Sequence, residues 1–155
     1  MAFPWLTVQL LLAGVIATDA FDQRPRVEIT ASSVDATVRI DTTTATQVST
    51  EPLVLPSSGE SASVWVGVTS TITGVLRVSV VDATFDSLLA VYTDSVSTLR
   101  VVVANDDCAS GGSAAFGTSG SCVKLYVTAG AVYAIQVSGF GAAKGLATLS
   151  LSMRT

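Results

Sequence analysis

Residues 123–152 read VKLYVTAGAVYAIQVSGFGAAKGLATLSLS, and their pattern decides the fold. Three short runs, Val123 to Thr128, Val132 to Ser138 and Leu146 to Ser152, are separated by Ala129-Gly130 and by Gly139 to Gly145. Within the runs apolar side chains recur at every second position, the period of a half-buried strand, and glycines fall where the chain must turn. The same period appears upstream in Val27 to Thr30, Thr37 to Asp41, Ser63 to Thr69, Val75 to Val81 after Gly74, Phe85 to Thr93 and Leu99 to Ala104. Arg77 and Ser79 fall on the outward parity of their run. Residues 42–50 are rich in β-branched Thr. Pro52, Pro56 and Ser57-Ser58-Gly59 mark a loop, and Ala109 to Ser121 form a Gly- and Ser-rich one. No stretch after residue 20 carries a helical stripe. Spacings of about eight to twelve residues between strands predict an all-β, antiparallel β-sandwich of about 8–9 strands over residues 27–155.

At 155 residues and 49% apolar content the chain suits one domain with a true core. It has no His, which excludes a His-based triad and a His-ligated metal, and two Cys are too few for a zinc site. Eight Lys and Arg, scattered from Arg24 to Arg154 in a chain of net charge -4, form no basic stripe, so nucleic acid is not an expected partner. Many Ser and few candidate bases give no activated nucleophile, and no paired carboxylates are signalled in a cleft. The chain reads as a non-enzyme.

Residues 1–20 are an apolar, signal-like or assembly segment. Leu6 to Ala17 is apolar apart from Thr7 and Gln9, too short for a stable membrane span. A cleaved secretory signal is one reading. The other is a retained segment in which Val8, Leu10, Leu12 and Ile16 share one parity and fill a groove in a neighbouring subunit. Residues 21–26, with Asp22, Arg24, Pro25 and Arg26, read as a linker.

Cys108 and Cys122 flank the Gly-rich loop, and a disulfide between them would pin it. That bridge, with the signal-like start, points to an extracellular or cell-surface location. About a quarter of the chain is Ser or Thr. The tract Thr42, Thr43, Thr44 and Thr46 is the strongest candidate for O-linked glycans, whereas the one Asn, Asn105, lies in no acceptor sequon.

Val64-Trp65-Val66, Gly74 to Val78, Phe85 to Thr93, Ala104 to Asp107, Val127 to Gly130, Val132 to Val137, Gly139-Phe140-Gly141 and Gly145 to Leu151 occur in order over residues 60–152. Together they resemble the bacterial pre-peptidase C-terminal domain. The resemblance implies a jelly-roll-like sandwich, found as an accessory module on secreted proteins and related to the collagen-binding modules of secreted collagenases. Family members are typically appended to an enzyme. Here the module fills nearly the whole chain, which implies a role in binding or assembly.

Asp82, Asp86, Asp106 and Asp107 are hard oxygen donors, as in a calcium site if their loops converge, and some relatives in that family bind calcium. Otherwise Asp86 and the Asn105-Asp106-Asp107 run cap turns. Trp65 is expected in the core, with Val64 and Val66 outward or at an edge. Phe140, between two glycines, is the best candidate for an exposed aromatic. Two functions follow. One is a structural subunit of a self-assembling extracellular filament or surface layer, a homopolymer that uses the apolar N-terminal segment for contact. The alternative is a secreted binding module for polysaccharide or a fibrous protein.

Overall fold

The computed structural model describes residues 15–30, 35–95, 98–108 and 120–155. Among them are nine strands: β1 (Arg26–Ile29), β2 (Asp35–Asp41), β3 (Ser63–Ser70), β4 (Gly74–Val81), β5 (Ser87–Ser95), β6 (Thr98–Asn105), β7 (Cys122–Val127), β8 (Val132–Gly139) and β9 (Leu146–Arg154). They form a five-stranded sheet of order β1-β3-β8-β5-β6 and a four-stranded sheet of order β2-β9-β4-β7, packed as a sandwich.

Alternation builds the core. Along β9, Ala147, Leu149, Leu151 and Met153 point inward, while Thr148, Ser150 and Ser152 are only partly buried. Val38 and Ile40, Leu76, Val78 and Val80 complete the inner face of that sheet, opposite Val64, Val66, Val68, Ile135 and Val137 of the other. Each such side chain contributes about 1.5–3 kcal/mol by leaving water. Gly74 opens β4 against the carbonyl of Arg154, where a Cβ would strike backbone.

Among the nine strands the pairing departs from the all-antiparallel expectation once, and Ile16 adds a parallel bridge to Arg39 of β2. β1 runs parallel to β3, with Arg26 opposite Gly67 and Ile29 opposite Ser70. β2, in the other sheet, separates them in the chain, so no hairpin forces opposite directions. Ser79 keeps its outward parity yet is buried, in register between Cys122 and Ser150. Residues 42–50 form no strand: the Thr43 N–H and hydroxyl donate to Asp41 Oδ1 (3.0 and 2.6 Å) and turn the chain as β2 ends.

Residues 15–24 belong to the folded body. Val15 and Ala17 are buried in the core. The Ala17 N–H donates to Arg39 O (3.0 Å) and the Arg39 N–H to Val15 O (2.8 Å), while Thr18 and Trp65 exchange two backbone bonds (3.2 and 2.8 Å). The stretch expected as a linker holds a one-turn 3-10 helix, Phe21–Gln23, and the first residue of β1. Of the expected assembly residues, Val8, Leu10 and Leu12 lie outside the described residues. Ile16 is 47% exposed, because Val15 and Ala17 take the inward positions on either side of it.

Cys108 and Cys122 are joined by a disulfide, with Cα atoms 4.9 Å apart. The Gly- and Ser-rich residues 109–119 between them lie outside the described residues. Around the bridge, Asn105 Nδ2 donates to Cys122 O (2.9 Å) and the Ser87 and Ser121 hydroxyls meet at 2.9 Å.

Candidate functional site

All eight residues of β3 are buried, and all of β8 after Val132. A sheet with one wet face would not show this, so the outer face of the five-stranded sheet must be covered. Trp65 is the centre of that cover. Val64 and Val66, expected outward, face the core, and Trp65 points the other way yet is fully buried in a second cluster with Ala90, Tyr92 and Ala134. Phe21 meets its ring edge-on at 4.9 Å, and Tyr92 lies tilted at 5.7 Å. The Arg24 guanidinium sits over the Phe21 ring, 3.8 Å from its centroid.

Two glutamates from the β2–β3 connection tie that cover to the sheet. Glu51 Oε1 accepts from Trp65 Nε1 (2.6 Å) and from the Ser63 hydroxyl (3.1 Å), while Oε2 accepts from the Val48 N–H (2.7 Å). Glu60 accepts from the N–H groups of Val54 (3.1 Å) and Leu55 (2.7 Å) and from the Ser138 hydroxyl (2.6 Å). Between them, Gln136 accepts from the Tyr92 hydroxyl (2.7 Å) and donates to Pro52 O (2.8 Å). Burial, and then the Glu60 charge, pushes the Tyr92 phenol well above its ordinary range, so it remains a donor.

The cover is incomplete. Between the 3-10 turn and residues 46–52 it leaves a cleft of about 520 Å³, lined by the half-buried Phe21 and Leu99 with the buried Trp65 behind them, and edged by Asp19, Asp22, Thr50 and Glu51. Asp19 is fixed by the Thr46 N–H and hydroxyl, each at 3.0 Å. Asp22 is exposed. With Asp19 and Glu51 engaged as acceptors and Asp22 exposed, the cleft offers an apolar lining and an acidic rim, a combination suited to holding a cationic or amphipathic group.

The sequence reading missed Glu51, Glu60 and Phe21. One signal was present: Trp65 stands directly opposite Gln136 across β3 and β8, with Tyr92 bonded to Gln136 from β5. Three large amphipathic side chains on the outward parity of neighbouring strands require something above them.

Of the four aspartates considered for calcium, Asp86, Asp106 and Asp107 come together, with one oxygen from each within 4.8 Å of the others. Asp82 is not in that group; it occupies the turn after β4 with φ 52° and lines a separate hollow beside Val15 and Arg39. Burial, then the neighbouring charge of Asp107, raises the carboxyl pKa of Asp86; Asp106 rises for the same reasons, with Asp86 adding to them. Three carboxylates bring up to six oxygens, and a Ca²⁺ shell of six to eight would draw any remainder from backbone carbonyls or water. Phe140 stands near this corner, 44% exposed, its N–H donating to Asp86 O (2.8 Å).

Within the tract expected to carry glycans, Thr42 is corrected: it is fully buried, its hydroxyl engaged with the N–H (3.0 Å) and carbonyl of Gly145, and no transferase could reach it. Thr43, Thr44 and Thr46 are exposed, with the first and last hydroxyls bonded to Asp41 and Asp19.

No family model matches the chain, and no curated protein does. Among solved structures it is similar to the periplasmic inhibitor of g-type lysozyme PliG from Aeromonas hydrophila, at 11% identity and a TM-score of 0.39, over 84% of this chain and 99% of that one. No helix among the described residues is long and apolar enough to cross a membrane.

Proposed function

We propose that this chain is a non-enzymatic, extracellular binding protein whose seat is the cleft over Phe21 and Trp65. The carrying observation is the construction of that cleft: two chain segments are bonded onto the outer face of the five-stranded sheet, yet leave Phe21, backed by the buried Trp65, partly open beneath an acidic rim. The disulfide supports an oxidising compartment. The resemblance to the pre-peptidase C-terminal domain supports the same role, because that family serves as accessory modules. Charge favours a cationic ligand over a neutral polysaccharide, since Asp19, Asp22 and Glu51 all border the cleft.

Trp65 lies buried directly behind Phe21 and so reports on the cleft. In a Trp5→Phe variant, which leaves Trp65 as the sole indole, a short Arg-rich peptide should shift or quench the emission, and added salt should reverse the change. A neutral oligosaccharide should do neither. If the oligosaccharide moves the emission and the peptide does not, the seat belongs to a glycan; silence with both removes the cleft as a seat.

A further inference from the structure

We infer that the occupant of this cleft is a second copy of the same chain, which presents the outer face of its four-stranded sheet; this rests on the cleft being a binding seat. Four of the chain's eight cations, Arg39, Arg77, Lys124 and Arg154, stand exposed on that face. Arg77 lies in register directly opposite Lys124, and Val75 lies between Tyr126 and Arg154. Like charges so placed repel, and among the described residues neither Arg77 nor Lys124 has a hydrogen bond or ion pair to offset this. Beside them the Tyr126 ring is 67% exposed. The carboxylates on the strands of this face, Asp35 and Asp41, sit at the two ends of β2.

The opposite side of the sandwich is its complement. Asp19, Asp22 and Glu51 edge the cleft. Outside its lining, Arg24 is laid over Phe21 and Arg26 opens β1. A cleft of about 520 Å³ is of ordinary ligand-pocket size, roomy enough for one aromatic side chain with a basic neighbour. Tyr126 of a second copy, flanked by Arg77 and Lys124, brings the planar group that suits the lining and the charge that suits the rim. Because the two surfaces are on opposite sides of one sandwich, each contact leaves one surface of each kind free. Such a contact is heterologous, and copies add in a row rather than closing as a pair.

Sedimentation and light scattering of the whole chain test this. The protein should associate in a concentration-dependent way at low salt and dissociate at about 0.5 M salt, where charge is screened within a few ångströms. The double variant Arg77→Glu/Lys124→Glu and the single variant Asp22→Lys alter exposed side chains only, and near-ultraviolet circular dichroism would verify that each folds. Each alone should associate about tenfold more weakly or worse, and mixing them should restore association, because reversed and native surfaces then match pairwise. A wild type that stays monomeric at low salt, or association indifferent to both reversals, overturns the inference. Should the Arg-rich peptide still move Trp65 emission in a monomeric protein, the seat stands and the second copy is the wrong occupant; if the emission is also silent, both readings fall.

Discussion

The outer faces of the two sheets start from the same alternation and end differently. Along β9 the outward Thr148, Ser150 and Ser152 face water or their strand neighbours and carry no cover of their own. Along β3 and β8 the outward positions include Trp65, Gln136 and Ser138, and there the chain has laid two further segments over the sheet. Small hydroxyl side chains are content in water, whereas an indole must lose it. The difference teaches that the covered, clefted surface arises here where the outward residues are too large to be left bare.

Breaking the covered face should cost far more than editing the bare one. Trp65→Ala removes the centre of the second cluster and should destabilise by about 3–5 kcal/mol in urea unfolding followed by far-ultraviolet circular dichroism. Ser150→Ala on the bare face should stay within about 0.5 kcal/mol. Comparable losses at the two positions would dissolve the contrast. Next in size, opening the Cys108–Cys122 bridge by Cys122→Ser should cost on the order of 3 kcal/mol, by release of the 14-residue separation it closes. The same urea experiment measures it, with reduced wild type as the control.

A smaller change sharpens the account of the cover. Glu51→Ala leaves Trp65 Nε1, the Ser63 hydroxyl and the Val48 N–H without their acceptor, at about 1–3 kcal/mol. In a double-mutant cycle with Trp65→Phe the two losses should not add, because they share one bond. Additive losses would mean that Glu51 holds the loop without help from the indole.

The smallest effects lie in pH dependence, and the two sheets again differ. At the corner beside β5 and β6, the raised carboxyl pKa values of Asp86 and Asp106 mean that the folded state holds more protons than the unfolded just above the ordinary value of 3.8. Their contribution to stability therefore falls as pH rises through that window. Asp41, at the end of β2, is held below 3.8, chiefly by the Thr43 hydroxyl, so its contribution is present above that value and lost as pH falls through its folded pKa. Carboxyl NMR titration should show the two directions. Asp107→Asn should bring Asp86 and Asp106 part of the way down and leave Asp41 unmoved; the remainder is burial, the larger cause.

Much of this molecule is legible in its sequence. Turn glycines and alternating runs locate nine strands, and the edge positions of Cys108 and Cys122 foretell their bridge. Three of four aspartates chosen for their chemistry do converge. What period alone could not decide is which side of a strand is the inside. β3 reads Val64-Trp65-Val66-Gly67-Val68, apolar on both parities, so alternation is degenerate there and Trp65 takes the outer face. The cleft is illegible for a related reason: Phe21, Glu51 and Trp65 come from three separate stretches, and only the folded chain brings a loop glutamate 2.6 Å from an indole nitrogen.

Residues Val15 to Thr18 reach both sheets within four positions, two backbone bonds to β2 and two to β3. In mechanical terms they are a suture. Tension drawn through that end of the chain is shared between the two layers, and each layer can part from the segment only by losing a pair of backbone bonds. The seam between the sheets on that side is therefore closed by one segment that must let go of both layers before they can part.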